Sequence, residues 1–397
     1  MTDAAGHPLI LVLNCGSSSI KFALFDASHA PLSRTPHWSG AIEGITGATP
    51  VFSAIDAAVE PLTLDAGQPY HSALTLLRQR IVDRLEDSRI VAVAHRVVHG
   101  GSKYFEPTRV DAEVLADLKS YVPLAPLHQP FALEAIAALL DEQPQLPQVA
   151  CFDTAFHQSM PTVEKMLPLP RSAWQQGLRR YGFHGLSYAY MARALGERYG
   201  MAARGRTIVA HLGSGASLCA MQDLRSVATT MGFSALDGLM MGTRCGALDP
   251  GAVIYLMEIR KLSLEQVARM LYHESGLLGV SGISSDPRVL LQHEADARAR
   301  EALDLYVRSA VREVGALAAA LNGLDMLAFT AGVGEHNAAI RERICAGLGF
   351  LGVELDPSAN AAHAPVISSA SSKVRVVVEP TNEEWVAASA AATIIRC

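Results

Sequence analysis

Residues 10–26 (ILVLNCGSSSIKFALFD) bring together groups that could bind a phosphate. Asn14 precedes a Gly-Ser run that begins at Gly16, and Lys21 stands just beyond that run. A glycine lets the backbone approach a ligand, and converging N–H groups, hydroxyls and one ammonium group form a phosphate cradle. An ordinary polar turn is the alternative for this stretch alone, because Gly-Ser turns are common.

Charged and titratable side chains at the ends of apolar segments supply further candidates. Arg96 lies near the end of an apolar run, where a guanidinium needs an anion, either a ligand or an internal carboxylate. Asp153 ends a short apolar run, a usual catalytic location in α/β proteins, although a helix N-cap is the alternative. His184 lies between two glycines, which predicts an exposed imidazole in a tight turn. Arg244 lies in residues 229–250, a stretch too rich in bends for a helix.

This inventory of arginines, a histidine, a lysine, carboxylates and glycine loops matches phosphoryl transfer, in which positioning and charge neutralisation provide most of the catalysis. The chain lacks the GxxxxGK[ST] sequence of a P-loop and the GxSxG sequence of a nucleophile elbow. The dinucleotide-binding pattern GxGxxG is incomplete at residues 332–334. The sequence therefore favours a phosphotransferase that is not of the P-loop type.

The elements that must position these residues repeat along the chain. Apolar residues alternate on both sides of the glycine turn in residues 10–26, which predicts a β-hairpin. Residues 208–223 (IVAHLGSGASLCAMQD) align with it when Gly213 is placed on Gly16, and a third apolar run ends in glycines within residues 326–336. We expect a duplicated unit with a ligand held between the copies; a chance match between two frequent segment types is the alternative.

The remaining segments follow an α/β pattern. Short strands and loops are predicted within residues 27–72. Apolar residues at helical spacing predict helices over residues 73–85, 111–121, 131–140, 263–275 and 298–322. A buried strand is predicted over residues 89–98, a short strand over residues 147–153 and a further strand within residues 365–380. Thr381 is expected to cap a terminal helix that carries Glu383 in its first turn.

The composition of the 397-residue chain limits the class of protein. This length predicts about two domains, and 50% hydrophobic residues allow a large core. A net charge of −6 gives no reason to expect nucleic acid or an anionic membrane as partner. Six scattered cysteines without metal-binding spacing suit a reducing cytosol. The sequence shows neither a signal peptide nor a membrane-spanning stretch, so we expect a cytoplasmic protein.

Nine motifs occur in the order found in the acetate/propionate kinase family. They are NxGSSSxK, HRVVHGG, FDTAFH, RRYGFHG, HLGxGAS, GLMMGTR, SSDxR, FTAGxGEH and TNEE. The chain resembles this family from about residue 9 to about residue 390. The resemblance implies the sugar kinase–Hsp70–actin superfamily, with two duplicated ribonuclease-H-like (actin-like ATPase) α/β domains around a central cleft. Residues 1–153 with 381–397 would form one domain, and residues 154–380 the other, which would bind nucleotide and mediate dimerisation.

The resemblance implies an activity and a set of partners. Family members transfer the γ-phosphoryl group of ATP reversibly to acetate with Mg²⁺, giving acetyl phosphate and ADP, and Mn²⁺ would substitute for Mg²⁺. Propionate as the acceptor is one alternative. An actin- or Hsp70-like ATP-driven binding protein is another, but it would not need Arg96, His184 and Arg244 together. The implied partners are the short acid, the nucleotide and a second copy of the chain, with neither nucleic acid nor membrane.

The same resemblance implies a role for each matched residue. Asn14 and Glu383 would hold Mg²⁺, and Asp153 would be the catalytic acidic residue. His184 and Arg244 would stabilise the transferred phosphoryl group. The acid would be bound by Arg96, in a pocket formed by Val98, Leu127 and Phe183. The nucleotide site would be lined by Lys21, His211, Leu212, Gly213, Ser214, Gly215, Asp286, Pro287, Arg288, Gly332, Val333, Gly334, Glu335 and His336.

The chemistry of the acceptor refines one of these roles. Acetate is already an anion at neutral pH, so the nucleophile needs no general base. We therefore predict that Asp153 orients Mg²⁺ or an arginine and does not take a proton. Arg96 and Arg244 would offset the repulsion between the anionic acceptor and the γ-phosphate.

Three residues depart from the family pattern. Ser214 and His336 replace asparagines in the nucleotide region, so the family's purine preference and affinity do not carry over directly to this chain. Ala235, in GFSALDG, replaces a proline associated with the acyl pocket. Because one methylene is worth about 1–3 kcal/mol, we expect propionate to be used with a kcat/KM within about tenfold of that for acetate.

Overall fold

The computed structural model describes residues 6–126 and 128–396. The chain divides into two compact units. The first unit comprises Met1–Ala155 and Asn382–Cys397, and the second comprises Phe156–Thr381. Each unit contains its own β-sheet.

The strands, in chain order, are β1 (His7–Cys15), β2 (Ser19–Asp26), β3 (Trp38–Glu43), β4 (Val51–Ala54), β5 (Glu60–Pro61), β6 (Ser88–Val97), β7 (Thr108–Arg109), β8 (Gln148–Phe152), β9 (Arg206–Leu212), β10 (Ala216–Gln222), β11 (Arg225–Thr229), β12 (Met326–Thr330) and β13 (Arg375–Val378). The α-helices are α1 (Pro69–Arg84), α2 (Ala112–Ser120), α3 (Gln129–Glu142), α4 (Thr162–Lys165), α5 (Arg171–Gln175), α6 (Gly185–Tyr199), α7 (Pro250–Glu258), α8 (Leu264–His273), α9 (Gly276–Ser281), α10 (Pro287–Gln292), α11 (Ala297–Ala320), α12 (Ala331–His336), α13 (Ala338–Ala346), α14 (Pro357–Ala361) and α15 (Glu383–Arg396). Short 3₁₀ turns lie at Val122–Leu124, Ala155–Ser159, Gly200–Arg204 and Gly349–Leu351.

The sheet of the first unit has the strand order β5-β4-β3-β2-β1-β6-β8-β7. Strands β1 and β2 form the predicted antiparallel hairpin, in which Asn14 lies opposite Lys21. Strands β1, β6 and β8 run parallel, so their carboxyl ends meet at one edge of the sheet. Asn14 of β1, Arg96 of β6 and Asp153, which directly follows β8, therefore lie at that edge.

The second sheet repeats this arrangement with the order β11-β10-β9-β12-β13. Strands β9 and β10 form the second predicted hairpin, and β9, β12 and β13 run parallel. The series β3-β2-β1-β6-β8 of the first sheet has the same succession of antiparallel and parallel pairs. The duplication inferred from the two glycine-cornered hairpins is therefore confirmed at the level of topology.

The sheet of the first unit is buried on both faces. Leu9, Leu11 and Leu13 of β1 belong to a cluster with apolar residues of α1 and α3. Side chains alternate along a strand, so Ile10 and Val12 point to the opposite face, which α15 contacts. Burial on both faces explains the continuous apolar runs of the parallel strands. A cavity of about 190 Å³ remains between α1, α3 and the strands β1 and β6.

The helices predicted from periodicity are present, and local capping explains several of their starts. Asp111 accepts a hydrogen bond from Val114 N at the start of α2, and Ser263 forms a capping box at the start of α8. The prediction that Thr381 caps the terminal helix is wrong. Because α15 begins at Glu383, the cap position belongs to Asn382, whose Oδ1 accepts a hydrogen bond from Trp385 N at 3.0 Å. Among the described helices, none has the length and apolar character needed to span a bilayer.

Candidate functional site

In the first unit, the Arg96 side chain connects the ends of three strands. Its Nε and Nη2 donate to Oδ2 of Asp153 at 3.0 and 2.5 Å, and its Nη1 donates to Oδ1 of Asn14 at 3.1 Å. The side chain of Arg96 is 23% exposed, whereas that of Asp153 is 1% exposed. Of the alternatives left open by the sequence, the internal carboxylate is thus a partner of Arg96, and Asp153 serves this pair and not a helix N-cap.

The second oxygen of Asp153 has no such partner. Oδ1 of Asp153 is buried and accepts no hydrogen bond from the part of the chain that the structure describes. Buried polar atoms are normally satisfied, and those that are not often mark a site for water, an ion or a ligand. Asp153 therefore orients an arginine with one oxygen and retains a second oxygen for another group.

Glu383 and Lys21 belong to the same electrostatic cluster. The pKa of Glu383 is raised to about 7, and burial of the side chain is the largest cause. The positive charges of Arg96 and Lys21 lower this pKa, whereas the negative charges of Asp153 and Glu384 raise it. Burial alone would lower the pKa of Arg96, but Asp153 and Glu383 outweigh it, so the pKa of this guanidinium lies above its usual value. Glu383 therefore lies within electrostatic range of Arg96, Asp153, Glu384 and Lys21.

The donors of this cluster fit a magnesium ion. Mg²⁺ takes oxygen ligands, usually one or two carboxylates completed by water and phosphate oxygens. Asn14 and Glu383, as predicted, offer an amide and a carboxylate oxygen, and Asp153 offers its unsatisfied Oδ1. Within residues 6–126 and 128–396 no three side chains of His, Cys, Asp or Glu are grouped to enclose a metal by themselves. This set suits an ion that retains water and binds phosphate.

In the second unit, His184 adopts a left-handed backbone conformation at the start of α6, with φ of 59° and ψ of 27°. Its Nδ1 lies 2.8 Å from Oγ of Ser217, and its ring stacks on that of His211 with centroids 4.2 Å apart. The prediction of an exposed imidazole is wrong, because His184 is half-buried. The left-handed residue turns the ring back onto β9 and β10, where a polar pocket holds it.

Gly215 lies beside both the imidazole of His184 and the guanidinium of Arg244. A Cβ atom on Gly215 would lie 3.2 Å from Nε2 of His184 and 3.5 Å from Nη1 of Arg244. The same Nη1 donates to the carbonyl oxygen of Ala235 at 3.1 Å, so the loop with the proline-to-alanine departure positions Arg244. The two cationic or donor groups therefore converge on the glycine turn of the second hairpin.

The third glycine segment lies beside this turn. Residue 330 of β12 pairs with His211 of β9, and a Cβ atom on Gly213 would lie 3.6 Å from that of Ala331. Oε1 of Glu335 accepts from Ala331 N at 2.7 Å and from Thr381 N at 3.2 Å, which fixes the start of α12. The structure thus brings residues 211–215 and 332–336 together.

Other predicted residues have mainly structural surroundings. Asp286 accepts from Arg288 N at 2.8 Å and pairs with the Arg288 guanidinium, so it caps α10. The preceding Ser285 lies close to Gly242, two residues before Arg244. The side chains of Val98, Phe183, Leu212 and Pro287 are buried, whereas those of Ser214 and His336 are exposed. Gly332, Val333 and Gly334 lie in the first turn of α12. Leu127 lies outside the described residues.

The sequence did not single out the residues that hold the two histidines. Ser217 contacts His184, and Tyr188 contacts Ser217; Ser187 contacts His211. One signal was present, because Ser187 and Tyr188 lie three and four residues after His184 at the start of a helix and so share its face. The contact with Ser217 depends on tertiary structure.

Comparisons with known proteins identify the family of the chain. The sequence profile of the acetokinase family matches residues 9–389. The chain is 50% identical to the acetate kinase of Rhodopseudomonas palustris over 382 residues, which cover 95% of this chain and 96% of that protein. A propionate kinase structure from Francisella tularensis is similar with a TM-score of 0.89 and 36% identity, covering 96% of this chain and 98% of that one. An acetate kinase structure from Porphyromonas gingivalis gives 0.85 and 35%, covering 98% and 100%.

Proposed function

The chain belongs to the acetokinase family, and from that premise we propose how its residues carry out acetate kinase activity. The fold is the actin-like ATPase fold, and the protein is a phosphotransferase of the acetate kinase type. The reaction is the reversible transfer of the γ-phosphoryl group of ATP to acetate, giving acetyl phosphate and ADP. The observation that carries the residue assignment is the convergence of His184 and Arg244 on the bare Gly215.

Arg96 is proposed to bind the carboxylate of the acid. A guanidinium has five N–H donors, and the contacts with Asp153 and Asn14 use three of them, one from each nitrogen. Asp153 fixes the orientation of Arg96 and keeps it charged, and it has no proton to take, because the acceptor is an anion at neutral pH. Val98, Phe183 and Leu127 would form the apolar part of this pocket.

Mg²⁺ is proposed to be held by Asn14, Asp153 and Glu383, with Mn²⁺ as a substitute. When bound, the ion neutralises the phosphate oxygens and orients them for in-line transfer. The support is the donor set and the unsatisfied Oδ1 of Asp153. Arg96 and Lys21 lower the pKa of Glu383 and so partly offset the effect of its burial.

The nucleotide is proposed to bind along the backbone of residues 211–215 and 332–336, with Lys21 directed to its phosphates and residues 286–288 at its edge. His184 and Arg244 would stabilise the charge on the transferred phosphoryl group. Charge that develops in the transition state is best stabilised by donors already in place. Support comes from the hydrogen bonds that fix both groups, Ser217 for His184 and the Ala235 carbonyl for Arg244.

Propionate is proposed as a second acceptor. One support is Ala235, whose side chain occupies less volume than the family's proline. The other is the similarity to the Francisella tularensis propionate kinase. A pocket that accepts one more methylene loses or gains only about 1–3 kcal/mol. We therefore expect both acids to be used, with a kcat/KM for propionate within about tenfold of that for acetate.

The protein is also proposed to form a homodimer through the second unit. Leu248, Ile254, Tyr255, Ile259 and Leu264 are exposed around α7 and the start of α8. Grouped exposed apolar side chains usually mark an interaction site, and a second copy of the chain is the occupant that the family suggests. An Ile254→Glu variant should sediment at half the mass of the wild type. A monomeric wild-type protein would refute this part of the proposal.

We propose that the protein works in the cytoplasm. The cysteines at residues 15, 151, 219, 245 and 345 all have free thiols, which suits a reducing compartment. Fractionation of cells that produce the protein would test this, and a surface or membrane location would contradict it.

A hydroxamate assay for acyl phosphate tests the function directly. The purified protein is incubated with ATP and acetate, propionate or butyrate, with Mg²⁺, with Mn²⁺ or with excess EDTA. We expect acyl hydroxamate with acetate and propionate, and none with EDTA. An actin- or Hsp70-like binding protein would hydrolyse ATP without forming hydroxamate, and that result would overturn the proposal.

A further inference from the structure

A hydrogen-bonded chain runs from two buried hydroxyls to the half-buried imidazole of His184. The hydroxyl of Tyr188 lies 2.5 Å from Oγ of Ser217, which in turn lies 2.8 Å from Nδ1 of His184. Tyr188 and Ser217 are completely buried. His211 has a parallel arrangement, with its Nδ1 2.8 Å from Oγ of Ser187. Both imidazoles therefore direct Nδ1 to a serine and leave Nε2 on the side of the glycine turn.

The acidity of the hydroxyls determines the order of the protons. A phenol is far more acidic than an aliphatic alcohol and is the stronger donor, so Tyr188 donates to Oγ of Ser217. A lone pair of the Ser217 oxygen then accepts from Tyr188, and the hydroxyl proton of Ser217 is available to donate to Nδ1 of His184. A neutral imidazole that accepts at Nδ1 must carry its proton on Nε2. That nitrogen lies 3.2 Å from the point where a Cβ atom on Gly215 would stand.

We propose that Tyr188 and Ser217 are positioning residues that hold His184 as the neutral tautomer with its proton on Nε2. In this form His184 donates a hydrogen bond toward the phosphoryl oxygens without a prior proton transfer. Tyr188 and Ser217 have no exposed surface on which to contact a substrate, so their effect would pass through the orientation and tautomer of the imidazole. The inference rests on the proposed function of His184.

Two substitutions interrupt the chain at different points. Tyr188→Phe removes the phenolic donor and keeps the ring, and Ser217→Ala removes the hydroxyl that contacts Nδ1. Each should lower kcat by about tenfold, while KM for ATP and for acetate stays within about twofold, because the contact matters most in the transition state. The double variant should match Ser217→Ala alone within about twofold, since both changes act through one path.

Tyr306→Phe is the matched control. Tyr306 is a buried tyrosine of the second unit whose hydroxyl has no hydrogen-bond partner within the described residues. Its kcat should equal that of the wild type. If Tyr188→Phe keeps full kcat, or if it loses activity through KM alone, the proposal is wrong.

The tautomer can be measured without catalysis. With ¹⁵N-labelled histidine, the His184 signals are those lost in a His184→Gln variant. The wild-type spectrum should show a protonated Nε2 and a bare Nδ1, and Tyr188→Phe should move both signals toward the average of two tautomers. A wild-type Nδ1 that carries the proton overturns the inference, even if a variant fails to fold. A wild-type protein that forms no acyl phosphate refutes the proposed function instead.

Discussion

The proposed phosphoryl transfer depends more on Arg244 than on any other single residue. Its side chain stands within reach of the turn at Gly215 and is fixed by the carbonyl oxygen of Ala235. Substitution by alanine removes a charged donor that is already in place for the transition state. A loss of this kind is larger than that of a contact made only in the ground state.

We expect Arg244→Ala to lower kcat by on the order of a hundredfold or more. Arg298→Ala is the control, because Arg298 is an exposed arginine that pairs with Asp296 at the start of α11. Steady-state assays of both variants measure the effect. A kcat for Arg244→Ala within about threefold of the wild type would refute its assigned role.

The pair of Arg96 and Asp153 also contributes to the stability of the first unit. Removal of one partner of a buried ion pair leaves the other charge unsatisfied. We expect Asp153→Ala to lower the free energy of unfolding by about 3 kcal/mol. Glu60→Ala breaks an exposed pair with Arg80 and should cost less than about 1 kcal/mol. Urea denaturation measures both, and equal losses would show that burial of the Arg96 pair has no energetic consequence.

Single residues were predictable from the sequence where their chemistry was tied to the end of an apolar run. Arg96 and Asp153 follow such runs, and the parallel strands then bring them together. The half-buried position of His184 was not predictable, because glycines on both sides indicate a turn but not the direction of the ring. The role of Ser217 required the tertiary contact with α6.

At the scale of elements, the cavity between α1 and α3 is a point of incomplete packing. Its volume of about 190 Å³ is bounded by Leu11, Leu77, Val93 and Ala138, and an ion pair of Arg78 with Glu142 lies at its rim. Voids deprive their lining of dispersion contacts, so a larger side chain that fills the space should stabilise the unit.

Ala138→Leu should raise the free energy of unfolding by about 1 kcal/mol. Ala116→Leu, at an exposed position of α2, is the matched control and should change it by less than about 0.5 kcal/mol. Denaturant midpoints at constant slope provide the comparison. A destabilised Ala138→Leu would mean that α1 and α3 already pack too closely for the larger side chain.

Strands and long helices were predicted more reliably than their boundaries. Both hairpins follow from local alternation around a glycine turn, and α11 follows from a long periodic segment. The cap of α15 was placed one residue too early, at Thr381, because Thr381 and Asn382 are both good cap residues. Short helices such as α9 and α10 depend on tertiary packing and carry little periodic signal.

At the scale of the whole molecule, buried histidines make stability depend on pH. Burial lowers the pKa of His95, His99 and His157 to about 4, well below their ordinary value. The unfolded chain binds protons at these groups below about pH 6.5, whereas the folded chain does not until about pH 4. Stability is therefore fully present above about pH 6.5 and falls as the pH is lowered toward 4.

At pH 5 each of these histidines should lower the free energy of unfolding by about 2 kcal/mol relative to its value at neutral pH. Glu383 acts in the opposite direction, because its pKa is raised in the folded state. Denaturant titrations from pH 7.5 to about pH 5 test the expected slope. His95→Gln should flatten the dependence of the free energy of unfolding on pH, and His37→Gln, at an exposed position, should leave it unchanged. An unchanged slope in His95→Gln would contradict this account.

Helix α15 has a consequence for synthesis on the ribosome. It covers the face of the first sheet that includes Ile10 and Val12, and it supplies Glu383, yet residues 383–396 are translated only after the entire second unit. The apolar face of the nascent first unit therefore stays uncovered while residues 156–381 are translated. The second unit is one uninterrupted stretch, so it can complete its folding before the first unit does. Such a chain should rely on holding chaperones during translation more than one whose units are completed in the order of their synthesis.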